Sequence, residues 1–222
     1  MSRKNGKSRK ISPSLMCADF LNLGRDLAEM ERLGIEYLHI DIMDGSFVPN
    51  YTLGTDFTAL VRKASGIPLD LHLMIDEPER KLDWFEFGEG DYVSVHYEAT
   101  KHVQRAISKI KDKGAKAMLA LNPATPLCVV EDVAVDIDAL LIMTVNPGYA
   151  GQKLVPQTLD KIRRARELFP GLEIEADGNV SFENARLMSD AGADIFVAGS
   201  SSLFVKGKPL DETVKMLRES IN

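Results

Sequence analysis

Short apolar segments rich in β-branched residues recur along the chain, and each is followed by a stretch whose apolar positions have helical spacing. Several of the helical stretches, such as HVQRAISKIKDKG and FENARLMSDAG, end in glycine, the usual residue after a helix C-terminus. The eight predicted strands are Ile11–Met16, Tyr37–Met43, Leu69–Met74, Tyr92–His96, Lys116–Leu121, Ala139–Val145, Glu173–Ala176 and Ile195–Ala198. Eight strand–helix alternations without a break in composition predict one parallel α/β domain.

The number of strands favours a particular architecture. Eight strands close a (β/α)8, or TIM, barrel, and 222 residues is near the compact limit of that fold. A doubly wound open sheet is the alternative, but no Gly-x-Gly-x-x-Gly motif follows the first strand to support it. We therefore predict a single barrel domain over residues 11–222. The preceding residues 1–10, MSRKNGKSRK, carry five basic side chains and predict a solvated, flexible tail.

Ionisable residues interrupt the second predicted strand, in the segment HIDIMDGSFVPN. Side chains alternate along a strand, so His39 and Asp41 share one face while Ile40 and Ile42 occupy the other. The isoleucines suit contact with the outer helices, which leaves the histidine and the aspartate pointing into the barrel. Both lie at the carboxyl end of the strand, where barrel enzymes carry their chemistry.

The same parity recurs in two other strands. His72 lies near the carboxyl end of LDLHLM, and Asp177 ends the strand in EIEADGN. In a barrel these two residues would converge with His39 and Asp41 on one mouth. Two imidazoles and two carboxylates suit Zn²⁺, Fe²⁺, Mn²⁺ or Co²⁺. A lone buried histidine is explained as well by a hydrogen bond to the backbone, but four such residues at strand ends favour a metal site.

Glycine-rich loops follow the last three predicted strands, with the sequences NPGYAGQ, DGN and AGSS. Loops in this position often bind phosphate in barrels, because glycine allows the backbone N–H groups to approach the anion closely. Each loop taken alone is an ordinary glycine turn. Three of them in succession on one rim predict a phosphate site.

Composition and the remaining reactive residues narrow the functional classes. The net charge of -6 argues against a nucleic-acid groove. No apolar run approaches the roughly 20 residues that span a bilayer, and no secretory segment is recognisable, so we expect a cytoplasmic protein without membrane contact. Cys17 and Cys128 have no histidine nearby in sequence, which disfavours a thiol nucleophile. For His96 a hydrogen-bonded structural role is favoured over a place at the mouth, and His102 is expected on the surface.

Seven motifs resemble, in order and spacing, those of the ribulose-phosphate (pentose-5-phosphate) 3-epimerase family. The similarity extends from Ile11 to about Phe204 and consists of SPSLMCADF, HIDIMDGSFVPN, LDLHLM, LNPATPL, MTVNPGYAGQ, DGN and AGSSSLF. The resemblance implies a (β/α)8 barrel that binds one divalent metal ion, usually zinc or iron, through His39, Asp41, His72 and Asp177. It also implies that Asp41 and Asp177 exchange protons with the substrate.

The expected partner is a phosphorylated ketose, and a homo-oligomer is expected. The substrate-binding residues that the resemblance implies are Ser14, Met43, His72, Met74, Met143, Gly148, Tyr149, Ala150, Gly151, Gly178, Asn179, Gly199 and Ser200. The three methionines would lie beside the reaction intermediate, and the glycine-loop residues would hold the phosphate.

The motifs depart from the pentose-phosphate pattern at a few positions. The family usually has glycine at the position of Asn179. The sequence SLMC and the alanine of GYAGQ are similar to a sister group, the allulose-6-phosphate 3-epimerases, whereas the alanine of NPATP is similar to the pentose enzymes.

These features lead to the hypothesis that the protein inverts C3 of a 2-ketose phosphate by two-base proton transfer through a cis-enediolate. Ribulose 5-phosphate and xylulose 5-phosphate are the first choice of substrates, and allulose 6-phosphate is the alternative. Related barrels that act as decarboxylases or aldolases use a lysine near an aspartate, and the second-strand motif has no lysine. A non-catalytic sugar-phosphate sensor would have lost a metal ligand or a carboxylate, and all four are present.

Overall fold

The computed structural model describes residues 8–222, and their strands form one sheet. The strands are β1 (Lys10–Pro13), β2 (Leu38–Asp44), β3 (Tyr51–Thr52), β4 (Leu69–Met74), β5 (Tyr92–His96), β6 (Lys116–Leu121), β7 (Ala139–Met143), β8 (Glu173–Asp177) and β9 (Ile195–Ala198). All neighbours are parallel except β3, which pairs antiparallel with the end of β2. A parallel bridge between Ser14 and His39 joins β1 to β2 and closes the ring.

The predicted (β/α)8 barrel is therefore confirmed, and the open sheet is wrong. Six α-helices lie among the described residues: α1 (Leu23–Arg32), α2 (Thr55–Ala64), α3 (Val103–Asp112), α4 (Gln157–Leu168), α5 (Phe182–Ala191) and α6 (Leu210–Ile221). The crossovers from β4 to β5 and from β6 to β7 contain only short 3-10 turns. Within the described part of the chain, no helix is both long and apolar enough to cross a membrane.

Apolar side chains fill two separate layers of the barrel. The outer layer lies between the strands and the helices, and it contains the even-numbered residues of β2, such as Ile40 and Ile42. The inner layer lies inside the ring and includes Tyr37, Tyr92 and Met118. This division follows from the alternation of side chains along each strand, which sends successive residues to opposite faces of the sheet.

The amino-terminal boundary differs from the prediction. Residues 1–7, most of the predicted basic tail, lie outside the described residues. Lys10, assigned to that tail, is the first residue of β1, and its Nζ lies 2.7 Å from Oε1 of Glu173. The predicted first strand also ends early, at Pro13, because a 3-10 turn begins at Leu15. Backbone pairing in the sheet decides this boundary, whereas hydropathy favoured a later start.

Candidate active site

Four ionisable side chains meet at the carboxyl end of the barrel. His39 Nε2 and His72 Nδ1 each lie 3.2 Å from Asp41 Oδ1. The same two nitrogens lie 3.9 and 3.5 Å from Asp177 Oδ2. Strand register explains the meeting, since Asp41 pairs with His72 across the ladder between β2 and β4.

The donor set fits a divalent metal ion. All four donor atoms lie within 4.8 Å of one another. Ligands about 2.0–2.2 Å from a tetrahedral ion lie about 3.3–3.6 Å apart, close to the distances between the histidine nitrogens and the carboxylate oxygens. Both histidines and Asp41 are buried, so their polar atoms need partners, and a cation at their centre would provide one. These residues could therefore hold zinc or iron.

A second layer of polar residues lies beneath this cluster and orients His39. The imidazole Nδ1 lies 2.7 Å from Asp70 Oδ2, which also accepts a hydrogen bond of 2.8 Å from the hydroxyl of Ser12. When Nδ1–H donates to Asp70, the lone pair of His39 is on Nε2 and faces the cluster. This is the carboxylate–histidine arrangement that commonly orients metal ligands.

Glu175 lies in the same layer, fully buried, with Oε1 3.5 Å from His39 Nδ1. Burial, followed by the charge of Asp70, raises the pKa of Glu175 well above its ordinary value. A neutral Glu175 keeps another negative charge out of the barrel interior.

His72 is oriented from its other side by a third histidine. His72 Nε2 lies 2.8 Å from Nε2 of His96, and His96 Nδ1 lies 3.3 Å from Oε2 of Glu98. Burial lowers the pKa of His96 to about 4 although Glu98 opposes the shift, so the ring is neutral. Burial would raise the pKa of Glu98, but hydrogen bonds from His96, Thr125 and the backbone of Asn122 outweigh it and lower the pKa to about 2.

The two central carboxyl groups have opposite pKa shifts. Burial, assisted by the negative charge of Asp41, raises the pKa of Asp177 to about 6. The charges of His39 and His72 oppose this shift but do not cancel it. Burial would also raise the pKa of Asp41, but the charges of His39 and His72 and their hydrogen bonds lower it well below its ordinary range. Ser14 adds a hydrogen bond of 2.6 Å from Oγ to Asp41 Oδ2. Carboxyl groups with separated pKa values suit an acid and a base that work as a pair.

A cavity opens directly above the two carboxylates. Twelve of the thirteen residues expected to bind substrate line it: Ser14, Met43, Met74, Met143, Gly148, Tyr149, Ala150, Gly151, Gly178, Asn179, Gly199 and Ser200. Asp41 and Asp177 line it as well. The expected substrate contact of His72 has no counterpart in this lining, because His72 is fully buried.

Backbone conformation at the end of β8 suits a close approach to a ligand. Gly178 has φ +120° and Asn179 has φ +48°, both in the left-handed region. A Cβ atom on Gly178 would lie 2.6 Å from Val145 Cγ2 and 2.9 Å from its backbone nitrogen. Asn179 is held by Asn184, whose Nδ2 donates to its carbonyl oxygen and to its Oδ1. Glycine is therefore required at residue 178, while asparagine is accommodated at residue 179.

Comparison with known proteins agrees with this geometry. The model of the ribulose-phosphate 3 epimerase family matches residues 10–204. The chain belongs to this family. It is therefore an isomerase of the epimerase class that acts on carbohydrate phosphates.

Similar proteins include three enzymes named ribulose-phosphate or ribulose-5-phosphate 3-epimerase. The Bacillus subtilis protein is 45% identical over 197 residues, which cover 86% of this chain and 91% of that protein. The Methanocaldococcus jannaschii protein is 40% identical and covers 95% of this chain and 90% of its own length. The chloroplastic protein of Arabidopsis thaliana is 40% identical, and the match covers 95% of this chain and 76% of that protein.

Solved structures similar to this epimerase support the fold alone. The tryptophan synthase α-subunit of Pyrococcus furiosus superposes with a TM-score of 0.64 at 15% identity, covering 97% of this chain and 96% of that one. Thiamine phosphate pyrophosphorylase from the same organism gives a TM-score of 0.61 at 15% identity, with the same coverage.

Several residues of this epimerase's site were not among the predicted ones. Cys17 and Gln152 line the cavity, and Asp70, Glu175 and Glu98 form the layer behind the donors. The alternation of side chains along a strand puts Asp70 on the same face as His72, and Glu175 on the same face as Asp177. The sequence pattern could therefore have identified these two residues. Glu98 had no such signal, because it lies in a 3-10 turn after β5.

Proposed function

We propose that the protein interconverts ribulose 5-phosphate and xylulose 5-phosphate by inversion at C3, with Asp41 and Asp177 as the acid–base pair. The observation that carries this proposal is that both carboxylates open onto one cavity from strands three places apart around the ring. Inversion requires a proton to leave one face of C3 and another to arrive on the opposite face, and two separately held carboxyl groups meet that need.

In this reaction one aspartate removes the C3 proton, which is weakly acidic because C3 adjoins the ketone. The other aspartate donates a proton to the opposite face of the planar enediolate. The roles exchange in the reverse direction. The opposite pKa shifts of Asp41 and Asp177 support unequal proton affinities within the pair.

His39, Asp41, His72 and Asp177 would hold a divalent metal ion. Zinc or iron is our first choice, with manganese or cobalt as alternatives. When bound there, such an ion would supply Lewis-acid stabilisation of negative charge on the substrate oxygens.

The other cavity residues would position the substrate. Met43, Met74 and Met143 give the carboxylates an apolar surrounding that excludes water around the reacting carbon. The glycine loops after β7, β8 and β9 would bind the phosphate through backbone N–H groups. The segments GYAG, GN and GS contain no cationic side chain, so amides are the donors available in them.

A direct comparison of two substrates tests the proposal. Purified protein with bound metal should turn over ribulose 5-phosphate with a higher kcat/KM than allulose 6-phosphate, because the cavity has to absorb one further carbon between the reacting centre and the phosphate. A tenfold preference for allulose 6-phosphate would reassign the substrate and keep the chemistry. No epimerisation of either sugar would overturn the proposal. For the oligomeric state and the cellular compartment, our prediction remains a homo-oligomer in the cytoplasm.

A further inference from the structure

Neither the metal donors nor the phosphate loops account for the motif LNPATPL. It runs from the end of β6 into the following turn, and two of its residues contact Glu98. The backbone N–H of Asn122 donates to Glu98 Oε1 over 2.9 Å, and the hydroxyl of Thr125 donates to the same oxygen. Lys161 of α4 fixes the motif in turn, since its Nζ donates to the carbonyl oxygen of Asn122 over 2.7 Å.

Glu98 uses its other oxygen to contact His96, and His96 contacts His72. The chain of contacts runs from Glu98 Oε2 to His96 Nδ1 over 3.3 Å, and from His96 Nε2 to His72 Nε2 over 2.8 Å. Both histidines are fully buried, so water does not replace the contact between them. The two ring planes are inclined by 25° with centroids 5.1 Å apart, so the rings contact each other edge to edge through these nitrogens.

Only one pattern of protons satisfies this chain when His72 Nδ1 presents its lone pair, without a proton, to a metal ion in the central cluster. His72 must then carry its proton on Nε2 and donate it to His96 Nε2. A neutral His96 accepts on that nitrogen and therefore carries its own proton on Nδ1, which points at the Glu98 carboxylate. Every donor in the chain thus meets an acceptor, and the direction of donation is set by the carboxylate at its end.

We propose that His96 and Glu98 are positioning residues, which hold His72 in the tautomer and ring orientation that bind the metal, and that the NPATP segment serves to anchor Glu98. His39 has its carboxylate, Asp70, in direct contact. His72 reaches its carboxylate through one intervening imidazole.

Replacing His96 by leucine removes both contacts, whereas His96→Gln retains one acceptor and one donor on a single side chain. We expect His96→Leu to weaken zinc binding 10- to 100-fold in competition with a chromophoric chelator, the range found for other orienting partners of metal-binding histidines. His96→Gln should recover most of the affinity. Thr125→Val, which removes one anchor of Glu98, should give a smaller loss than Glu98→Gln.

The matched controls are His102→Ala and Glu131→Gln, which change the same residue types at exposed positions away from the cavity. Both should bind zinc like the unaltered protein. The visible spectrum of the cobalt-loaded protein gives a second readout, since a reoriented His72 changes the ligand field and the controls leave it unchanged. Circular dichroism of each metal-free variant separates a lost fold from a lost ligand orientation.

The inference rests on the metal site of the proposed function but not on its substrate. Unchanged zinc affinity and an unchanged cobalt spectrum in folded His96→Leu would overturn it. If His96→Leu does not fold, the other two variants decide. Wild-type zinc affinity in Glu98→Gln would overturn the inference. So would a loss of zinc affinity in His96→Gln as great as the loss in Glu98→Gln. Absence of epimerase activity in the unaltered protein would count against the proposed function alone, because the affinity measurements do not require turnover.

Discussion

Asp41 and Asp177 both lie within 3.5 Å of one atom, Nδ1 of His72, yet the pKa of Asp41 is lowered and that of Asp177 is raised to about 6. Charge and hydrogen bonds account for the difference. Protonated His39 and His72 stabilise the anionic form of Asp41 by their charges and by hydrogen bonds, and Ser14 donates a further one. Asp177 has longer contacts to the same histidines and lies beside the charge of Asp41. Two carboxyl groups in one cavity are thereby given unequal proton affinities.

Isotope exchange separates the tasks of the two aspartates. In D₂O, Asp177→Asn should no longer interconvert the epimers but should still exchange the C3 hydrogen of one of them, because Asp41 can return a solvent deuteron to the face from which it took the proton. Asp41→Asn should exchange only the other epimer. NMR of the recovered sugars measures both rates. Metal content must be determined in the same samples, since each aspartate is also a proposed metal ligand. If either variant, with metal bound, interconverts the epimers near the wild-type rate, the two-base mechanism is contradicted.

Removal of one nitrogen donor should separate folding from metal binding. His39→Ala and His72→Ala should each remain folded, contain little zinc or iron as isolated, and lose at least 100-fold in turnover. Elemental analysis and circular dichroism check the two parts of this expectation, and exposed His102 provides the control variant His102→Ala. Chelation of the unaltered protein should likewise abolish turnover. Full activity in a metal-stripped sample would rule out a metal-dependent reaction.

The loop at the end of β8 should tolerate substitution of Asn179 but not of the adjacent Gly178. Gly178→Ala should raise KM at least tenfold, because the new methyl group collides with Val145 at a left-handed backbone position. Asn179→Gly should alter KM less than about threefold, since the backbone N–H is kept and glycine accepts a positive φ. Steady-state kinetics on both variants checks the contrast. Equal effects would indicate that this loop does not approach the phosphate through its backbone.

Acid should weaken the connection that Asp44 makes between two loops of the rim. Burial would raise its pKa, but Lys81 and the backbone N–H groups of Asp76, Ser46 and Phe47 lower it to about 2 from 3.8. A carboxyl group with a lowered folded-state pKa stabilises the fold above its unfolded pKa and loses that contribution as the pH falls through the folded value.

The difference in free energy of unfolding between the unaltered protein and Asp44→Asn should therefore be full near pH 6 and shrink as the pH falls from about 4 to about 2. Urea titrations at several pH values measure it. Asp132→Asn, at an exposed position in the 3-10 turn after β6, should show no such convergence. A difference that stays constant down to pH 2 would mean that Asp44 acts through packing and not through its charge.

Strand parity predicted most of the central cluster but only part of its support. The alternation in HIDIMD and LDLHLM is a local property, so the inward direction of His39, Asp41 and His72 could be predicted without the fold. The contacts of Glu98 with Asn122 and Thr125 join a turn after β5 to the loop after β6, and they depend on the pairing of these two neighbouring strands. Hydropathy carries no information on such contacts between loops.

The connections between successive strands show the same limit of prediction from hydropathy. The sequence alternation implied a helix after every strand, yet 3-10 turns follow β4 and β6. The turns Pro78–Arg80 and Leu127–Val133 still bury apolar side chains against the sheet, for example Leu127 and Val130. Covering the outer face of a strand requires buried apolar area and not a particular backbone, so the periodic pattern alone predicted the fold class and misjudged these two elements.

Asn50 Nδ2 donates to the carbonyl oxygen of Gly148 over 2.9 Å, and this bond joins the loop after β2 to the loop after β7, which lie on opposite sides of the ring. Val48 in the first loop packs on Met43 and Met74, so the connection stretches across the mouth above the reacting groups. One neutral hydrogen bond contributes about 0.5–1.5 kcal/mol. If this bond alone held the two loops together, a free-energy difference of that size would leave on the order of a tenth of the molecules with the bond broken. The two loops are therefore joined across the cavity by a contact that costs little free energy to break.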